Sequence, residues 1–162
     1  MRKRVYIETS VISYRAAWPS RDLIQAAQQA ATELWWREPC RCAIRSCRNW
    51  WTTKLTQGDA DAVRRRQEVV ALLPRLLITD EANELAARLL RAHALPGSAE
   101  DDAMHVALAT VHEIDILLTW NCKHIANAIT MPKILATIKE ANYNPPVITT
   151  PTDLLKSMGE LP

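Results

Sequence analysis

Phenylalanine is absent from this chain, whereas tryptophan occurs six times. Otherwise the totals, 48% hydrophobic and 23% charged residues, are those of an ordinary soluble protein. Long apolar runs are also lacking. Stretches such as Ile114–Leu118 are far too short to span a bilayer, so no membrane partner is expected. The basic opening Met1-Arg2-Lys3-Arg4 is followed by only a short strand-like stretch before Glu8, unlike a signal peptide, and a cytoplasmic location is expected. No Cys-x-x-Cys pair occurs among Cys40, Cys42, Cys47 and Cys122. Three of these crowd together, while Cys122 and His124 lie elsewhere, so reduced thiols are expected over a disulfide framework or a zinc site. No internal repeat, linker or low-complexity tract divides the 162 residues, which read as one domain spanning 1–162 with a single core.

The net charge of +2 is too small to argue for nucleic acid by itself. Its distribution is more suggestive: Arg37, Arg41, Arg45, Arg48, Lys54, Arg64, Arg65 and Arg66 outweigh the acids around them. The run Arg64-Arg65-Arg66 reads first as the solvated face of a helix.

What is present alternates between strand and helix signals. Residues 4–7 are β-branched and aromatic, as in a buried strand. A turn or two of helix follows over 10–16. Ser20 is expected to cap a helix through Trp36, with Leu23, Ala26, Ala27, Ala30 and Leu34 on its apolar face. Residues 40–57 show no clear period. Helices are expected over 60–73, 80–94 and 98–112, and strands over 75–78, 114–119 and 147–148. Two short helices split by Pro132 and a last turn over 151–156 complete the chain. This order predicts an α/β fold with a mostly parallel sheet, in which ligands bind beyond the carboxyl ends of strands.

Two acidic groups fall at such places. Glu8 follows the first strand and precedes Thr9 and Ser10. A structural explanation competes, with Thr9 or Ser10 as a helix N-cap and Glu8 merely exposed. Downstream, Ser98-Ala99-Glu100-Asp101 fits a capping box with Ser98 at the N-cap, which explains Asp101 structurally and leaves Asp102 as the stronger site candidate. Dipole stabilisation at a helix N-terminus is the alternative for Asp102. His105 reads as a satisfied semi-core residue, and His93 and His112 as surface residues near helix ends. Asn121 suits equally an N-cap for 122–127 and a neutral ligand in the cleft.

Three phrases together resemble the PIN-domain family, the nuclease fold that includes VapC-type toxins of toxin–antitoxin pairs. They are Tyr6-Ile7-Glu8-Thr9-Ser10-Val11-Ile12-Ser13, then Ala99-Glu100-Asp101-Asp102-Ala103-Met104-His105-Val106-Ala107, then Leu117-Leu118-Thr119-Trp120-Asn121-Cys122-Lys123-His124-Ile125. Their order and spacing match over nearly the whole chain. The resemblance implies a three-layer α/β/α sandwich around a central, mostly parallel sheet. It implies acidic residues holding Mg²⁺ or Mn²⁺, the hard ions that oxygen ligands suit, and cleavage of RNA. It casts Glu8, Asp102 and Asn121 as catalytic. Glu8, Asp102 and Asp101 would be the metal ligands, and Thr9, Ser10 and Thr119 would contact substrate phosphate or coordinated water. RNA, an antitoxin protein and a second copy of the chain are the implied partners.

One expected acid is missing. The family has a phrase resembling Ser-Gln-Leu-Val-x-Asp-Glu-Ala after its second strand, where this chain has Arg48-Asn49-Trp50-Trp51-Thr52-Thr53-Lys54-Leu55 and no carboxylate between Glu38 and Asp59. Trp has a single codon, TGG; Asn is AAT or AAC; Thr begins AC. Read from the third base of each codon, Asn49-Trp50-Trp51-Thr52 spells Leu-Val-Asp with no freedom, and the flanking codons permit Gln-Leu-Val-Asp-Asp-Glu. Residues 40–56 are therefore read as frame-shifted relative to the family, against the alternative of chance agreement; the nucleotide sequence decides. Taken as written, the site is short of an acid. That keeps open a catalytically degraded PIN domain that binds RNA or protein, and, more remotely, a thiol-metal protein using Cys40, Cys42 and Cys47.

Overall fold

A computed structural model describes residues 3–37, 43–48 and 59–159, with 43–48 as backbone. In chain order the elements are β1 (Lys3–Ile7), α1 (Thr9–Ala16), α2 (Leu23–Arg37), β2 (Ala43–Arg48), α3 (Ala60–Ala71), β3 (Arg75–Leu76), α4 (Asp80–Arg91), α5 (Glu100–Val111), β4 (Ile116–Leu118), α6 (Met131–Glu140), β5 (Val147–Thr149) and α7 (Pro151–Ser157). The strands form one five-stranded sheet in the order β3-β2-β1-β4-β5. Every pairing is parallel, as the alternation of strand and helix predicts.

Val5–Ile7 of β1 and Ile116–Leu118 of β4 are buried on both faces, which is why these segments read as continuous apolar runs. Tyr6, Leu117 and Ile148 pack with Leu85 and Leu89 of α4, Val106 and Leu108 of α5, and Ile134 and Ile138 of α6. Their strand neighbours Val5, Ile7, Ile116 and Leu118 face the other way, onto Val11 and Ile12 of α1, Trp35 of α2, Val70 of α3 and Leu155 of α7. The register sets Val5 beside Ile116, Tyr6 beside Leu117 and Ile7 beside Leu118, so each layer continues across the β1–β4 pair.

Helix boundaries depart from expectation for identifiable reasons. α4 stops at Arg91 because His93 takes a left-handed conformation (φ 51°), with its N–H on the Leu90 carbonyl and the Ala94 N–H on that of Leu89. The same closure at Glu113 (φ 53°) puts the Ile114 N–H on the Ala109 carbonyl, which shortens β4 to Ile116–Leu118. Ser20 does not cap α2: Asp22 does, accepting the Gln25 N–H at 2.9 Å. Leu23, Ala27 and Ala30 are exposed, because the buried face of α2 lies further along, at Thr32 and Trp35. No helix forms over 122–127, where residues 122–125 make hydrogen-bonded turns, and Pro132 sits inside the first turn of α6. Among the described residues no helix is long and apolar enough to cross a membrane. The segment read as frame-shifted lies outside the described residues, apart from the β2 backbone, as do Cys40, Cys42 and the side chain of Cys47.

Candidate active site

The chain builds its sheet outward from β1 through β2 to β3, then crosses back and lays β4 on the other side of β1. Connections leave in opposite directions at that point and open a crevice beyond the strand ends. Glu8 directly follows β1 and Thr119 directly follows β4, so both stand at the crevice.

Glu8 is not exposed. It is 5% accessible and is itself the N-cap of α1, its backbone extended and its Oε1 accepting the Ser10 N–H at 3.1 Å. Its Oε2 accepts the Ser10 hydroxyl and, at 2.8 Å, the Thr119 hydroxyl. Three donors thus converge on one buried carboxyl group, the compensation that burial of a carboxylate requires. Ser10 in turn accepts the Trp120 N–H at 2.9 Å, and Thr119 accepts the Asn121 N–H at 2.9 Å. Trp120 is tied further, its indole N–H donating to Thr32 Oγ1 at 2.8 Å.

Asp102 arrives on α5. The expected capping box is absent: Ala99 is the N-cap of α5, at φ −101° and ψ 41°, and no side chain caps it. With the helix starting at Glu100, Asp102 takes the third helical position, where the helix dipole favours an acid. Asp102 is 8% accessible, and its Oδ2 lies 2.7 Å from His124 Nδ1. His124 belongs to the turn after Asn121, whose Oδ1 accepts the His124 N–H at 3.0 Å. Asn121 is therefore a turn cap. A continuous bonded path runs Glu8–Thr119–Asn121–His124–Asp102. Asp101 is half-buried one position earlier, rotated by about 100° around the helix from Asp102.

His105, a turn after Asp102, is a satisfied core residue as its apolar neighbours suggest. It is 2% accessible, with Tyr6 Oη 2.7 Å from Nδ1 and Thr9 Oγ1 3.2 Å from Nε2. Nε2 also lies 3.8 Å from Glu8 Oε1. Thr9, Ser10 and Thr119, the residues cast as substrate contacts, all have their hydroxyls engaged by protein groups. His124 is the residue that the sequence pattern did not single out. Its partner is 22 positions away, and only its place in the phrase after Asn121 signals it.

Carboxylate oxygens suit a hard divalent ion in kind, and among the described residues the one side-chain hydrogen bond to Asp102 falls on Oδ2. Among the described residues, no group of three or more His, Cys, Asp or Glu is gathered as a metal-binding cluster. Mg²⁺ commonly takes one or two carboxylates and completes its shell with water and substrate phosphate, a habit that needs no such cluster. No family model matches this chain, and no match was found among curated proteins or solved structures.

Proposed function

We propose that this crevice is the active site of a PIN-type endoribonuclease dependent on Mg²⁺ or Mn²⁺, built on a three-layer α/β/α sandwich, and that the protein is the cytoplasmic toxin of a type II toxin–antitoxin pair. The observation that carries the reading is the bonded path from Glu8 to Asp102 at the switch point of the sheet. It joins the three sequence phrases on which the PIN resemblance rests. Glu8 and Asp102 are the residues to hold the metal, with Asp101 alongside. When bound, the ion supplies an activated water and charge stabilisation at the phosphate. The protein's own part is positioning. Ser10 and Thr119 fix the Glu8 carboxylate, and the 121–124 turn keeps Asp102 and Asn121 on the same rim. RNA is the substrate; the antitoxin and a second copy of the chain are the protein partners.

The test is cleavage of an RNA pool with Mn²⁺, compared with Asp102→Asn. Cleavage by the parent and a loss of at least about 100-fold in the variant are expected, the scale on which removal of an electrostatic catalytic group is felt. A parent inert with every divalent ion sinks the nuclease reading.

A second reading, an RNA- or protein-binding module that does not cut, is favoured by one observation. The amide oxygen of Asn121, the candidate neutral ligand, is already taken by the His124 N–H. Retention of labelled RNA without cleavage is its signature.

A further inference from the structure

We infer that His124 is the positioning residue for Asp102, an inference that rests on the nuclease reading of the crevice. The contact is close and sheltered: Nδ1 lies 2.7 Å from Oδ2, with the two side chains 22% and 11% accessible. A carboxylate only accepts, so Nδ1 carries the proton whatever the charge on the ring. No other hydrogen bond engages the His124 ring among the described residues, so the Asp102 contact is the polar contact that orients it.

The backbone of His124 is held at both ends. Its N–H is on Asn121 Oδ1 at 3.0 Å, and its carbonyl accepts the Thr130 hydroxyl. The turn beneath is closed by the Ile125 and Ala126 N–H groups on the Asn121 carbonyl, at 3.0 and 2.8 Å. Asn121 is anchored through Thr119 to Glu8. The imidazole therefore reaches Asp102 from the same scaffold that holds Glu8, and it fixes the spacing of two acids carried on different elements. With Oδ2 held, Asp102 cannot rotate freely and offers one defined oxygen to the crevice. A hydrogen-bond partner behind a metal-binding carboxylate typically controls affinity by 10–100-fold.

Two measurements test this. In the metal-free protein, long-range ¹⁵N–¹H correlation spectra should show His124 protonated at Nδ1, with that preference lost in Asp102→Asn. In calorimetric titration with Mn²⁺, His124→Ala should weaken binding by about 10–100-fold. His124→Asn places an amide N–H near the position of Nδ1 and should recover most of the affinity. His124→Gln, whose amide mimics Nε2, should behave like His124→Ala. A merely structural role would not separate the Asn and Gln variants. An Nδ1 without a proton in the parent, or unchanged Mn²⁺ affinity in His124→Ala, overturns the inference. A parent that takes up no Mn²⁺ sinks the metal reading instead, and the tautomer then decides the positioning role by itself.

Discussion

Thr119 donates its hydroxyl proton to Glu8 Oε2 at 2.8 Å and accepts the Asn121 N–H on the same oxygen at 2.9 Å. One side chain thus ties the ends of two strands to the turn that carries His124. Thr119→Val keeps the shape and removes both bonds, leaving a buried carboxylate short of a donor and an amide without an acceptor. A stability loss of roughly 1–3 kcal/mol is expected in urea denaturation, together with reduced RNA cleavage. A variant as stable as the parent contradicts this account of Thr119.

Tyr6→Phe probes the layer beneath. The Tyr6 hydroxyl, wholly buried, meets His105 Nδ1 at 2.7 Å, while the rings pack edge to face. Phenylalanine preserves the packing and removes that bond. A loss of about 1–3 kcal/mol is expected, read from the urea midpoint, with Mn²⁺ affinity little changed.

The helix caps provide a paired comparison. Thr79 accepts the Ala82 N–H at the start of α4, whereas Ser98 makes no capping bond to α5. Thr79→Ala should cost about 1 kcal/mol, and Ser98→Ala close to nothing, in parallel thermal unfolding. Equal costs would restore the capping box expected before α5.

Cys122 lies exposed on the turn beside Asn121, yet its thiol is raised above the ordinary value, chiefly by partial burial and secondarily by the Asp153 carboxylate. Folding therefore favours the protonated thiol. That contribution to stability is present below the ordinary thiol range and fades as pH rises through the raised value. Alkylation by iodoacetamide should show its pH midpoint above that of a free cysteine peptide. Asp153→Asn should lower the midpoint only part of the way, because burial remains.

The parts of this fold that were legible in the sequence are those fixed by local pattern. The run 114–119 announces a strand buried on both sides, found over Ile116–Leu118, and Thr79 announces a helix start. Periodicity does not place the buried face of α2, because it cannot say which part of a helix overlies a sheet. One buried position there is Thr32, a polar residue tolerated because its hydroxyl donates to the Gln28 carbonyl and accepts the Trp120 indole N–H. In the crevice, Glu8 and Asp102 could be nominated from where strands end and helices begin. Nothing local foretold that His124 would reach Asp102, because that contact exists only once β4 has been laid beside β1.

The Glu8–Thr119 bond spans 111 positions along the chain. At roughly 5–20 residues per second, synthesis separates the two residues by roughly five to twenty seconds, and distant pairings of this kind form late in folding. Until β4 emerges, β1 has a neighbour on one side at most, and Glu8 lacks the hydroxyl that completes its set of donors. If the crevice cuts RNA, a nascent chain on the ribosome carries no assembled blade, and the message being translated is out of danger until synthesis has passed β4 and Thr119.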